Sequence, residues 1–141
     1  MEEEIQQQKS NDTPDYLNAK VGEKEGSKAL EPKPIVVASV TIQTENKDGE
    51  TMENPLANIH CKHPDKEDLI KLTSIKWLNG EKMAVSALFI TADDEGLFMK
   101  DSGIARLLKF VKTDTLSDLV GKTIDTVKQL ETSRYLCLKC Y

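Results

Sequence analysis

The chain has 141 residues, of which 38% are hydrophobic and 30% charged, and its formal net charge is -5. This composition supports one core of ordinary size and hardly two. No apolar run approaches the ~20 residues of a membrane-spanning helix, the acidic N-terminus does not resemble a secretory signal, and three cysteines give no disulfide framework. We therefore expect one soluble, cytoplasmic domain with reduced thiols and no membrane partner.

The first 33 residues differ in composition from the rest of the chain. They carry eight acidic and five basic residues and few bulky apolar ones. Such a segment buries too little apolar surface to offset the entropy lost on ordering. We predict a flexible acidic N-terminal arm over residues 1–33, acting as a contact for partner proteins or as a mask over a binding groove. The folded domain is expected over 34–141, after the proline-rich boundary at 31–34.

Alternating apolar and polar residues predict about six β-strands in the domain. The first has Val36, Ala38, Val40 and Ile42 on one face, and the third changes phase between Leu72 and Ile75, as a bulge would cause. Asn79-Gly80 is typical of a tight hairpin turn. The predicted strands are residues 35–43, 57–62, 69–78, 83–91, 122–129 and 134–141.

One segment has the periodicity of an amphipathic helix. Ile104, Leu107, Leu108 and Val111 recur at helical spacing, and either Asp101 or Ser102 is placed to cap the N-terminus. Four strands, one helix and two strands, without βαβ alternation, favour a mainly β fold. We predict an OB-like, partly closed barrel of about six strands plus one main helix, which closes an open end. The alternative is an open α+β sheet with the helix across one face.

Cys61, His63, Cys137 and Cys140 are the candidate ligands for a metal ion. The C-x-x-C pair, however, lies in a segment with strand alternation, which directs residues three apart to opposite faces. Small buried thiols are therefore expected, with no metal and no cofactor. A zinc-stabilised fold is the alternative.

The sequence contains no recognisable set of catalytic residues. The only two histidines, His60 and His63, are near one another beside a turn, and no nucleophile is placed next to either of them. The acidic run at residues 93–95 lacks the spacing of a calcium loop, and the glycines form no phosphate-binding loop. We expect no enzymatic activity.

Aromatic and basic residues share one face of the last predicted strand. Tyr135, Lys139 and Tyr141 alternate in phase, and Trp77 follows Lys76 on another strand. Residues 34–141 carry sixteen acidic and fourteen basic residues, which disfavours strong binding of duplex DNA. Stacking on exposed rings still permits binding of single strands. The alternative role for Trp77 is in the core or at a barrel end.

Three segments carry a family resemblance: residues 102–111, Asp118-Leu-Val-Gly-Lys122 and Tyr135-Leu-Cys-Leu-Lys-Cys-Tyr141. They resemble the small OB-fold single-stranded nucleic-acid-binding proteins of phages and archaeal mobile elements. The resemblance covers the body of the chain and implies single-stranded nucleic acid as partner, with a role in replication or recombination. The alternative function is a protein-interaction or assembly component of a viral or mobile-element particle. The nucleic-acid-binding positions that we would test are Lys62, Lys71, Lys76, Trp77, Tyr135 and Lys139.

Overall fold

The computed structural model describes residues 15–22 and 30–141. Its strands are β1 (Ile35–Glu45), β2 (Thr51–Lys62), β3 (Ile70–Leu72), β4 (Ser74–Asn79), β5 (Lys82–Ala87), β6 (Thr123–Ile124), β7 (Thr126–Lys128) and β8 (Leu136–Cys140). The described helices are α1 (Gly103–Val111) and two short 3-10 helices (Tyr16–Asn18 and Ser117–Leu119). The fold is mainly β with one α-helix.

The strands form two four-stranded sheets, in the orders β3-β2-β1-β6 and β5-β4-β8-β7. All pairings between these strands are antiparallel except that of β4 with β8. The chain passes from the first sheet to the second at Thr73, between β3 and β4, and again at Asp125, between β6 and β7. Because the β3–β4 segment and the β6–β7 segment each run from one sheet into the other, the two sheets curl into a partly closed barrel. The predicted fold class is confirmed.

We call the crossing points at Thr73 and Asp125 the two corners of the barrel. They divide two of the six predicted strands, 69–78 and 122–129. At the first corner, the carbonyl of Thr73 accepts a hydrogen bond from the amide of Leu88 (2.8 Å). At the second, the carbonyl of Asp125 accepts one from the amide of Lys139 (2.8 Å). The change of phase predicted between Leu72 and Ile75 is therefore the point where the chain leaves one sheet for the other.

The buried face of β1 differs from the sequence prediction. Ile35 and Val37 are buried, whereas Val36 is 42% exposed and Ile42 is 45% exposed. The register shifts between Val37 and Ser39, as a β-bulge does. A bulge exchanges the two faces of a strand, so simple alternation could not assign the inward residues along its whole length.

Helix α1 contributes its apolar stripe to the core. Ile104 and Leu107 are fully buried and Leu108 nearly so, in one cluster with the inward residues of both sheets. Of the two predicted caps, Ser102 is the one used, because its Oγ accepts a hydrogen bond from the amide of Ala105 (3.1 Å). The helix packs against β4 and β8, and this contact orients its polar face.

The predicted hairpin at Asn79-Gly80 joins β4 to β5. Gly80 has a φ of +66° and is the first of the two residues between the paired Asn79 and Lys82. That position of a type II′ turn favours glycine, because a Cβ atom is strained there. The turn therefore fixes the register of the two strands.

Most of the predicted arm lies outside the described residues, but its last part is attached to the barrel. The amide and carbonyl of Lys33 hydrogen-bond with Oγ1 of Thr126 (2.9 and 2.8 Å). His63 accepts a hydrogen bond at Nδ1 from the amide of Asp65 (3.0 Å), so its Nε2 donates to the carbonyl of Glu31 (2.8 Å). Leu30 packs against the core, so the packed body extends before residue 34.

The described residues of the arm farther from the barrel are solvent-exposed. Tyr16 is 72% exposed and Leu17 is 97% exposed, although a 3-10 turn orders them.

Lys33, at the attached end, forms an ion pair with Asp65 (2.7 Å). Its hydrogen bond and charge lower the pKa of the Asp65 carboxyl.

We expect Ile75→Ala to lower the free energy of unfolding by about 2–5 kcal/mol, because Ile75 is fully buried opposite Leu138 and its truncation leaves a cavity. Val36→Ala is the matched control and should change that free energy by about 0.5 kcal/mol or less, since Val36 is on the surface. Urea unfolding followed by circular dichroism gives both values. Equal effects would contradict the assignment of the core.

Candidate nucleic-acid interface

The polar face of α1 carries basic and aromatic side chains. With the apolar stripe in the core, Arg106, Lys109 and Phe110 are directed to the other side of the helix. Phe110 is 46% exposed although it is aromatic. These three residues form one wall of a depression at the C-terminal end of the chain.

Trp77 on β4 forms part of the opposite wall. The ring is half-buried against the core, and its Nε1 donates a hydrogen bond to Oγ of Ser86 (2.8 Å). The guanidinium carbon of Arg106 lies 3.7 Å from the ring centroid, so the cation is stacked on the indole face. This contact holds Arg106 in a fixed position at the surface.

The C-terminal residue Tyr141 completes the depression. It follows β8, is 44% exposed, and its ring centroid lies 5.0 Å from Nζ of Lys139. We call the depression the C-terminal groove; its volume is about 600 Å³. It is lined by Trp77, Leu78, Arg106, Lys109, Phe110, Lys112, Cys140 and Tyr141.

Two smaller depressions adjoin the C-terminal groove and extend its positive charge. One shares Phe110 and Tyr141 with it, and the other shares Arg106 and Lys109. Together, the three surfaces are lined by six basic residues and two acidic ones: Lys100, Arg106, Lys109, Lys112, Lys122 and Lys139, against Asp101 and Asp125. Positive charge is therefore concentrated here on a chain whose net charge is -5.

Lys112 has an unusual backbone conformation at the end of α1. Its φ of +65° is left-handed, and it is the only non-glycine residue with positive φ in the described chain. Glycine is usual at this position of a helix terminus, because a side chain there is strained. The chain instead places a lysine there, and that lysine lines the C-terminal groove.

A second concave surface lies between β3 and the loop that joins β7 to β8. We call it the β3–β8 cleft; its volume is about 260 Å³. Tyr135 and Lys71 are exposed beside it, and Gln129 is half-buried within it. It is lined by Leu30, Ile70, Lys71, Leu72, Thr73, Ser74, Gln129, Arg134, Tyr135 and Leu136.

The sequence-predicted binding residues are divided between these surfaces. Trp77 lines the C-terminal groove, and Lys139 lines a depression next to it. Lys71 and Tyr135 line the β3–β8 cleft instead. Four of the six candidates thus line three depressions: the C-terminal groove, the depression next to it and the β3–β8 cleft.

The other two candidates lie outside both concave surfaces. Lys62 is exposed at the end of β2, where its backbone pairs with Val36. Lys76 is half-buried on β4, and its Nζ donates a hydrogen bond to the carbonyl of Lys128 on β7 (3.2 Å). Its side chain therefore crosses β8, which lies between those two strands.

The face predicted for the last strand is not continuous. Tyr135 precedes β8, and Cys137, which has the same phase as Tyr135 and Lys139, is fully buried. Its Sγ lies 3.2 Å from Oγ of Ser74. Leu136, Cys137 and Leu138 are all buried, so β8 is covered on both faces, and the two tyrosines are separate at its two ends.

Sequence reasoning missed the residues that α1 contributes to the groove. Arg106, Lys109, Phe110 and Lys112 were not among the candidates. One signal was present, since Phe110 falls outside the apolar stripe that defines the helix. A single exposed apolar side chain is common on protein surfaces, so this signal alone does not define a site.

The three cysteines are buried thiols. Burial raises the pKa of Cys61 and of Cys140 to about 12, and it also raises the pKa of Cys137. Thiols held protonated are weak nucleophiles and weak ligands. Within residues 15–22 and 30–141, no group of three or more His, Cys, Asp or Glu side chains is arranged to hold a metal ion.

Three comparisons with known proteins find no match for this chain. No protein-family model, curated protein or solved structure matches it. Among the described helices, none is both long and apolar enough to cross a membrane.

We expect the buried thiols to make stability fall as the pH rises from about 9 toward 12. Unfolded thiols ionise near the ordinary value of 9.0, whereas folded Cys61 and Cys140 keep their protons to about 12, so high pH favours the unfolded state. Cys61→Ala should make this decline shallower. Urea midpoints at pH 8, 9 and 10 measure it, and identical slopes for the two proteins would contradict the assignment.

Proposed function

We propose that the domain is a non-enzymatic binding module for single-stranded nucleic acid, acting within replication or recombination, and that the C-terminal groove is its binding surface. The observation that carries the proposal is the concentration of three aromatic rings and three cations in one depression of about 600 Å³. Its described lining includes no acidic side chain.

The chemistry of the groove suits a single strand better than a duplex. Phe110 and Tyr141 are both about half exposed, so part of each ring is available for stacking by bases. Stacking is available only to bases that are not already stacked within a duplex. Two rings on the surface therefore favour an unpaired strand.

Three cations in the groove suit the phosphate backbone. Arg106 is held by stacking on Trp77, whereas Lys109 and Lys112 are exposed on and just after α1. A guanidinium fixed in this way offers a phosphate paired donors at little entropic cost. The local excess of positive charge compensates for the negative net charge of the whole chain.

A second observation favours the alternative function in protein interaction or assembly. On the outer side of the β4–β5 hairpin, Leu78 pairs with Met83, and these side chains are 52% and 41% exposed. Val85 on β5 is 38% exposed. An apolar patch of this kind is typical of a contact with another protein.

We expect Tyr141→Ala to weaken binding of a twelve-residue oligo-dT by about five- to a hundredfold at low salt, because it removes one stacking contact of about 1–3 kcal/mol. Tyr16→Ala is the matched control and should leave binding unchanged, since Tyr16 lies in the arm. Trp77 fluorescence reports the titration. Absence of binding by the unmutated protein would end this proposal and favour the assembly function.

We expect Lys112→Gly to weaken oligo-dT binding without lowering the free energy of unfolding. Glycine relieves the left-handed strain, so the free energy of unfolding should stay constant or rise by up to about 1 kcal/mol. Loss of one phosphate contact should weaken oligo-dT binding and reduce the slope of log K against log salt by about 0.7.

Lys109→Ala is the comparison for Lys112→Gly, because it removes a groove charge from ordinary helical backbone. It should weaken binding without raising stability. If Lys112→Gly raises stability and leaves both the affinity and the salt slope unchanged, Lys112 does not contact the strand.

A further inference from the structure

The β3–β8 cleft exists because of the corner at Thr73. β3 pairs with β2 in the first sheet, whereas β4 pairs with β8 in the second. Among the strands of residues 30–141, none lies beside the edge of β3 that is nearest to the β7–β8 loop. The barrel is therefore open at this point, and side chains from the loop line the opening.

Polar side chains in the cleft are available to a ligand. Gln129 is half-buried. Its backbone amide donates a hydrogen bond to the carbonyl of Tyr135 (3.0 Å), and this bond fixes the loop. The side chains of Gln129 and Thr73 are both half-buried in the lining of the cleft. A half-buried carboxamide gains from a ligand that offers a donor and an acceptor.

The rim of the cleft supplies a ring and a positive charge. Tyr135 is 69% exposed, and Lys71 is exposed on β3. An exposed tyrosine stacks on a base, and a lysine contacts the adjoining phosphate. The cleft thus combines stacking, hydrogen bonding and charge within about 260 Å³.

We propose that the β3–β8 cleft binds one adenine base, which Gln129 recognises and Tyr135 stacks upon. A glutamine carboxamide complements the N6 donor and N7 acceptor of adenine. The inference rests on the proposed function, because the base belongs to the same single strand that the C-terminal groove holds.

The spacing of the two surfaces fits one continuous strand. Tyr135 and Tyr141 flank β8 six residues apart, so about 20 Å separates them along an extended chain. Lys76 and Lys139 are register partners on β4 and β8, between the two tyrosines. A strand bound at both ends would cover a site at the short end of the range for OB folds, about 4–16 nucleotides.

The main experiment places a single dA at each position in turn of a twelve-residue oligo-dT. We expect about five- to a hundredfold tighter binding than for oligo-dT when the dA falls at the position that reaches the cleft. Gln129→Leu should abolish that gain, so that this variant binds the dA-containing oligonucleotide and oligo-dT with equal affinity.

Gln43→Leu is the matched control for the same change of side chain. Gln43 lies on β1, outside the lining of the cleft, where its carboxamide donates to the carbonyl of Glu45 (2.9 Å) and accepts from Nδ2 of Asn58 (3.4 Å). The adenine preference should survive in this variant. Thermal melts of both variants show whether either change disturbs the fold.

A measurement with AMP alone tests the cleft without the groove. AMP should shift the NMR signals of the Gln129 carboxamide, and CMP should shift them less. If oligo-dT does not bind but AMP gives these shifts, the groove proposal is wrong and the cleft proposal stands. If oligo-dT binds, but neither the position of the dA nor Gln129→Leu has an effect and AMP gives no shift, the cleft proposal is overturned and the groove proposal stands.

Discussion

The parallel pairing of β4 with β8 is the interaction on which the barrel and both concave surfaces depend. Ile75 and Leu138 are partners in this pairing, and both are fully buried. The pairing joins residues more than sixty positions apart in sequence and inserts the C-terminal strand between β4 and β7. Closing the intervening loop costs entropy, which the burial of these two side chains helps to offset.

Both concave surfaces follow from the position of β8. Its N-terminal end brings the β7–β8 loop next to β3, where the corner at Thr73 opens the barrel into the β3–β8 cleft. Its C-terminal end brings Tyr141 beside Trp77 and α1, which forms the C-terminal groove. The inner part of β8 is buried on both sides, so exposed aromatic groups are possible only at its two ends.

Electrostatics and packing act together at the C-terminal groove. The apolar stripe of α1 fixes which face of the helix is turned outward, and that face carries Arg106 and Lys109. Stacking on Trp77 then holds the Arg106 guanidinium at the surface. The result is a local excess of positive charge that neither the net charge nor the composition of the chain reveals.

From the sequence alone follow the mainly β class, the position of α1, the Asn79-Gly80 turn and the approximate strands. Each depends on contacts between residues near one another in sequence. Only the tertiary structure decided the inward face of β1, because a bulge at residues 37–39 exchanges its faces. It also decided that Tyr135 and Lys139 do not share one surface and that Arg106 meets Trp77. Those outcomes depend on which strands become neighbours, and periodicity along one segment contains no information about its neighbours.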